Sequence, residues 1–182
     1  MKCMSKFSVA IVLCAFVAAV PSVSRAAGEA PEIAAQEWSW APPFGHFDKA
    51  QLQRGYKVYK YVCANCHSMN LLSYRNLGQP GGPGFSEAAV KALAAQAQVE
   101  DGPNEKGEMF MRPGKPSDRF KAPYANEQAA RNANGGAYPP DLSVMAKARP
   151  HGADYLYALL TGYEEAPHDM KMSKGMHYNA AF

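Results

Sequence analysis

The run Cys63-Ala64-Asn65-Cys66-His67 constrains this chain more than any other feature. A haem carries two vinyl groups, and two thiols spaced by two residues on one helical turn can each add across one of them. The next residue then lies beneath the iron, where an imidazole serves as proximal ligand. The spacing is a geometric match to one face of a haem. Other uses of the same spacing fit less well. A thioredoxin-like dithiol needs a strand–helix setting, which the surrounding sequence lacks. A structural zinc site needs a second pair of soft ligands.

The N-terminus removes the other cysteines. Lys2 and Lys6 form a small positive region, Phe7 to Val20 is an uninterrupted apolar run, Pro21 ends it, and Ser24-Arg25-Ala26 offers small residues where a signal peptidase reads. Residues 1–26 are expected to be a secretory signal and residues 27–182 one domain. The apolar run is short for a membrane span, and the segment lacks the arginine-rich, amphipathic character of a mitochondrial transit peptide, which with a retained anchor is the alternative. Cys3 and Cys14 leave with the signal, so Cys63 and Cys66 stand alone in an oxidising compartment with no disulfide framework to join. The charge argument changes too. The formal charge of +3 comes from 19 Lys and Arg against 16 Asp and Glu. Residues 1–26 hold three of the cations and no acid, so the mature part is balanced, and the basic balance carries no argument for nucleic acid or anionic lipid.

Fourteen prolines and fifteen glycines predict short helices between long irregular segments. No alternating strand pattern of convincing length is present. Asp48 caps a helix from Lys49 to about Val62, and Gly55 would allow another helix to approach it closely. Gly78 to Gly84 is a loop, and Ser86 caps a second helix with Val90, Leu93, Ala94 and Ala97 on one face. Asp101-Gly102-Pro103-Asn104 and Arg112-Pro113-Gly114-Lys115 are turn sequences. Asn126 opens a short helix that Gly135-Gly136 stops. Asp141 is expected to cap a helix running from Leu142 to Ala148 and closed by Arg149-Pro150, and the last helix covers Gly152 to Leu160, ended by Gly162. The fold class is all-α.

A proximal histidine usually donates its second ring N–H to a carbonyl, and Pro139 or Pro140 is a source of one, because proline leaves its own C=O outside a helix ladder. Buried haem propionates want a cation or hydroxyl, for which Arg149, Tyr155 and Arg112 are candidates.

The chain resembles the cytochrome c1 family of cytochrome bc1 complexes. The resemblance runs from Gln53-Arg54-Gly55-Tyr56-Lys57-Val58-Tyr59 through the haem motif to Leu72-Ser73-Tyr74-Arg75-Asn76-Leu77. It continues through Asp101-Gly102-Pro103-Asn104-Glu105, Met109-Phe110-Met111-Arg112-Pro113-Gly114-Lys115, Pro139-Pro140-Asp141-Leu142-Ser143 and Ala153-Asp154-Tyr155 to Leu160-Thr161-Gly162-Tyr163, and covers about residues 37–182. It implies a class I cytochrome c-like domain with one covalent haem c, attached at Cys63 and Cys66 and ligated by His67. It also implies propionate contacts at Arg149 and Tyr155, and an acidic face that includes the Glu100 to Glu108 cluster. The implied role is one-electron transfer from a Rieske iron–sulfur protein to a soluble or tethered cytochrome c, beside cytochrome b. The implied place is the periplasmic side of a bacterial inner membrane, or the intermembrane-space side in a mitochondrion. The family's sixth iron ligand is a methionine in a segment of the type Phe-Pro-Gly-x-x-Ile-x-Met, which Asn179-Ala180-Ala181-Phe182 only begins, and the family's C-terminal membrane helix does not follow. The expectation is a C-terminally truncated member whose distal iron position is not closed by methionine, with Met176 the best substitute among Met170, Met172 and Met176. The alternatives are a soluble periplasmic cytochrome and a haem enzyme with an open sixth position.

Overall fold

A computed structural model describes residues 31–182, so the expected secretory signal lies outside the described residues. The elements follow in the order α1 (Lys49–Tyr61), α2 (Glu87–Ala95), β1 (Gln98–Asp101), β2 (Phe110–Pro113), α3 (Glu127–Ala133), α4 (Met145–Ala148) and α5 (Gly152–Thr161), with 3-10 turns at Cys63–Asn65 and Tyr74–Leu77. Among the described residues no helix is long and apolar enough to cross a membrane.

Side-chain caps set three of the helix starts. Asp48 accepts from Gln51 N at 2.7 Å, Ser86 from Ala89 N at 3.2 Å and Asn126 from Ala129 N at 2.9 Å, each satisfying a backbone donor that the first helical turn leaves unpaired. The helix expected from Leu142 is shorter. Residues 142–144 are non-helical, Val144 is the N-cap and only Met145–Ala148 is helical. Asp141 does not cap it, because its carboxylate accepts from Ser143 N at 2.8 Å and from residues near the Cys-His motif, which holds 141–143 in a turn. Arg149, which precedes Pro150, is extended (φ −103°, ψ 140°) and stops α4 there.

The core is small and aromatic. Tyr74, Leu77, Val90, Ala94 and Phe120 are buried, with Tyr56 and Tyr59 of α1 and Phe85 packed against them. Phe120 is the hub, its ring centroid lying 4.9 Å from Tyr74, 5.9 Å from Tyr59 and 6.1 Å from Tyr56. Burial pushes the Tyr56 and Tyr59 phenols up to about 12, with nearby tyrosines adding to the shift. Gly55, on the same helix, lines an open groove of about 580 Å³ with Leu52, Leu72 and Pro83. A Cβ at Gly55 would meet nothing within 4 Å.

The antiparallel ribbon of β1 and β2 pairs Gln98 with Pro113 and Asp101 with Phe110. Arg112-Pro113 therefore lies in a strand, where the sequence suggested only a turn. Proline is tolerated because a two-stranded ribbon has only edge strands. The ribbon is tied to α2 by Gly114, which donates to Ala97 O at 2.9 Å; a Cβ there would stand 2.6 Å from Ala94 O. It is tied to the core by charge. Arg112 reaches diagonally across the ribbon to Asp101 and forward to Asp118, and the Asp118 contacts are bidentate at 2.6 and 3.1 Å. Asp118 O in turn accepts from Tyr74 N at 3.1 Å, inside the aromatic core.

The Arg112 guanidinium, with Lys115 N–H, holds the Asp118 carboxyl at about 2, below its ordinary 3.8. A lowered carboxyl contributes stability that is complete above the ordinary value and disappears as pH falls through the folded one. Asp118→Asn should cost about 1 kcal/mol at neutral pH, a modest figure because the pair is partly hydrated. The difference in urea unfolding free energy between the two proteins should stay constant down to about pH 4 and shrink toward pH 2. A difference that persists at pH 2 would remove the charge from the account.

Candidate functional site

The Cys-His motif leaves α1 in a fixed way. Val62 N donates to Val58 O at 2.9 Å and closes α1, Cys66 N donates to Cys63 O at 3.1 Å, and His67 N donates to the same carbonyl at 2.8 Å. The chain thus tightens from α-helix into a 3-10 turn, which gathers Cys63, Cys66 and His67 on one turn. Both cysteines are free thiols, half-buried. A cavity of about 290 Å³ opens beside Cys66, lined also by Ser68, Tyr124, Ala130, Tyr138 and Pro139.

A second segment, far along the chain, holds the turn in place. His67 Nδ1 stands 2.8 Å from Pro140 O. A carbonyl can only accept, so Nδ1 carries the hydrogen, and Nε2 is the ring nitrogen left with a lone pair. Around this bond the two segments are laced together. Leu142 N donates to Ser68 O at 2.9 Å. Ser68 Oγ and Asn70 N donate to Asp141 Oδ2 at 2.8 and 2.7 Å, and Leu71 N donates to Ser143 Oγ at 3.0 Å. Burial alone would raise the Asp141 carboxyl. The donors on Asn70, Ser143 and Ser68 outweigh it and hold the carboxyl below its ordinary 3.8.

The sequence-predicted residues fall into three groups. Cys63, Cys66, His67 and Pro140 come together, and the carbonyl at His67 belongs to Pro140 rather than Pro139, which lines the Cys66 cavity instead. Arg149 is exposed at the C-cap of α4 and enters none of the salt bridges among the described residues, and Tyr155 is half-buried on α5. Arg112 is committed elsewhere, with its charge met by Asp101 and Asp118. Asp141, Ser68 and Ser143 were not anticipated at the site. The Asx-turn signal of Asp141 is present in the sequence, but its partners 71 and 73 residues away carry no local mark of the pairing.

The residues fit a haem on the structure's own terms. The turn offers two unpaired thiols and an imidazole whose free nitrogen is fixed by the Pro140 carbonyl. Apolar side chains that a domain normally covers stand open, including Val58 and Val62 of the helix leading into the motif and Leu71 and Val144 at the laced segments. Helices α1, α4 and α5 bury no residue.

The sequence model of the Cytochrome C1 family matches residues 38–182. The chain is 54% identical over 145 residues to a potato (Solanum tuberosum) protein named cytochrome c1-2, heme protein, mitochondrial, covering 80% of this chain and 55% of that one. It is 47% identical over 154 residues to cytochrome c1 of Rhodospirillum rubrum, covering 85% and 56%. It is 44% identical over 149 residues to the cytochrome b-c1 complex catalytic subunit, mitochondrial, of Candida albicans, covering 81% and 51%. The chain spans about half the length of the curated relatives it matches.

Asp141→Ala removes one acceptor from three donors in the lacing, and should destabilise the protein by about 2–3 kcal/mol. The urea midpoint should fall with little change in slope. A shift below about 0.5 kcal/mol, the size of an ordinary surface change, would mean that water replaces the carboxylate at no cost.

Proposed function

The chain belongs to the cytochrome C1 family, and from that premise we propose that it is the haem-carrying electron-transfer subunit of a cytochrome bc1 complex. One observation carries the reading: the bond between His67 Nδ1 and Pro140 O at 2.8 Å, beside two free thiols on the same turn. A proximal histidine needs this arrangement, with one ring nitrogen oriented and made more basic by a carbonyl and the other presented to iron. A bound haem supplies a one-electron ferric/ferrous couple.

The chain's own residues then have separable tasks. Cys63 and Cys66 hold the group by thioether bonds, which keeps it in place whatever its oxidation state. His67 Nε2 ligates the iron, and the Pro140 carbonyl strengthens that donor, which favours the ferric form. Arg149 and Tyr155 face the propionates, and the guanidinium opposes the charge gained on oxidation. The domain takes the class I cytochrome c-like fold, with one haem c held at the Cys63–His67 turn. Electrons arrive from a Rieske iron–sulfur protein and leave to a soluble or tethered cytochrome c, which the acidic cluster Glu100, Asp101, Glu105 and Glu108 helps to dock. Cytochrome b is the membrane neighbour. The secretory signal expected in residues 1–26 supports a place on the periplasmic side of a bacterial membrane, the counterpart of the intermembrane-space side in a mitochondrion.

Replacing Cys63 and Cys66 together by Ser should abolish covalent attachment, because serine forms no thioether. After denaturation in acid and extraction with organic solvent, the haem should stay with the wild-type polypeptide and leave the variant. Haem retained by the variant would overturn the assignment. Arg149→Gln should lower the midpoint potential by tens of millivolts, since about 59 mV in a one-electron couple corresponds to ~1.4 kcal/mol, a ceiling for one partly solvated charge. An unchanged or raised midpoint would take Arg149 out of the haem environment.

A further inference from the structure

The corner between α4 and α5 holds a conformation that its own sequence does not favour. Arg149 is extended, His151 lies in the left-handed region at φ 62°, and Gly152 follows it there at φ 49°. Among the described residues His151 is the only non-glycine in that region. Such a residue persists only where its surroundings over-determine it. Local bonds do part of that. Gly152 N donates to Arg149 O at 3.1 Å, and Asp154 N and Tyr155 N both donate to His151 O, at 3.0 and 3.4 Å. A Cβ at position 152 would stand 2.8 Å from Ala146 O, so α4 backs directly onto the corner. Arg149 and Tyr155, proposed above to face the propionates, are the two ends of this corner.

A distant segment supplies the rest. Asp154 lies in the first turn of α5. Its Oδ1 accepts Trp38 Nε1 at 2.6 Å and Gln36 N at 3.2 Å, across 116 and 118 residues. Tyr157, on the next turn, meets the Trp38 ring edge-on with centroids 6.0 Å apart. The strap is itself folded. Trp38 stacks on Trp40 at 4.6 Å and Trp40 on Phe47 at 5.3 Å, while Ala41 N and His46 N donate to Trp38 O and Ser39 O, both at 3.0 Å. Asp48 then caps α1, the helix that runs into Cys63. One folded strap therefore ties the helix that carries the Cys-His turn to the corner that carries Arg149 and Tyr155.

We propose that Asp154 is a positioning residue for the haem: by holding Trp38 and Gln36 it sets the Arg149–Tyr155 corner in place relative to the turn that carries the group. The inference rests on the reading of Arg149 and Tyr155 as propionate partners, and adds that their placement is imposed from outside the corner, by the strap. The bond between an indole N–H and a carboxylate is directional and charge-assisted, so it fixes orientation as well as proximity. The effect of a charge on the haem falls with distance, so a corner free to shift weakens the Arg149 effect without removing the arginine.

Three variants separate the bond from the charge. Trp38→Phe keeps an aromatic ring and removes the Nε1–H donor without changing any charge. Asp154→Asn removes the charge and keeps an acceptor oxygen, and Asp154→Ala removes both. In the haem-free protein, amide exchange in α5 should speed up about tenfold in Trp38→Phe and Asp154→Ala, and less in Asp154→Asn. In the haem-loaded protein, Trp38→Phe should lower the midpoint potential, in the same direction as Arg149→Gln, and Asp154→Ala should lie below Asp154→Asn. Introduced together with Arg149→Gln, Trp38→Phe should shift the potential far less, because the charge whose position it sets is gone. If Arg149→Gln lowers the potential and Trp38→Phe leaves it at the wild-type value, the positioning role is overturned and the propionate reading stands. An equal shift by Trp38→Phe with and without Arg149 also overturns it, because the strap would then act on the haem by a route other than the corner. An unchanged potential in Arg149→Gln overturns the propionate reading, and this inference with it.

Discussion

The carbonyl of Pro140 is the fixed point around which the site is organised. It can hold His67 only if the segment that carries it does not move, and that segment has no regular structure: residues 139–144 lie outside any helix. What stiffens it is the Asp141 carboxylate, which takes Ser68 Oγ and Asn70 N from the motif side and Ser143 N from its own side. A carboxylate can accept from several donors at once, whereas an Asn in its place would present one acceptor oxygen and an amide group that can only donate. The site is therefore built across a sequence separation of more than seventy residues by a polar lacing, with little apolar packing of its own.

That choice follows from where the apolar side chains are. The buried cluster around Phe120 joins α1, the Tyr74–Leu77 turn and α2. Outside that cluster α4 and α5 pack on each other without burying a residue, and Leu160 and Tyr157 remain exposed. Under the proposed reading a large apolar group takes the place of core side chains there, and the protein needs directional bonds to position its segments before that group arrives. The strap at residues 36–47 fits the same logic. Trp38 Nε1 and Gln36 N donate to Asp154 Oδ1 at 2.6 and 3.2 Å, and the Trp38 ring meets Tyr157 edge-on at 6.0 Å, so the segment before α1 is joined to α5 by two hydrogen bonds and an aromatic contact.

Much of this was legible in the sequence because the governing signals are local. Asp48, Ser86 and Asn126 announce their helices, Gly135-Gly136 and Gly162 end theirs, and the Cys-x-x-Cys-His spacing states its own geometry. The failures share one cause. Asp141 has the composition of an N-cap and sits before a helical run, yet donors on Ser68 and Asn70 outcompete the helix for its carboxylate. Arg112 has the composition of an anion-binding residue, yet β-pairing with Val99 sets it diagonally opposite Asp101, and Asp118 completes its coordination. Its strand was missed because Gln98–Asp101 and Phe110–Pro113 are four residues each, too short for alternation to show against the flanking turn residues. At Asp141 and Arg112 a polar partner outside the local pattern decided the outcome, 71 and 73 residues away at Asp141 and 6 and 11 residues away at Arg112.

The lowered Asp141 carboxyl has a further consequence for how the site would work. Its lacing is complete only while the group is ionised, and the hydrogen bonds that lower it also keep it ionised throughout the neutral range. The Pro140 carbonyl then stays in place, and the proton on His67 Nδ1 has an acceptor at 2.8 Å that cannot itself be protonated at such pH. Neither the Pro140 carbonyl nor the Asp141 carboxylate changes protonation near neutrality. For the electron carrier proposed above, that arrangement keeps the candidate proximal ligand in one orientation. Under the proposed reading the imidazole is then held in one orientation by a fixed dipole rather than by a titrating neighbour.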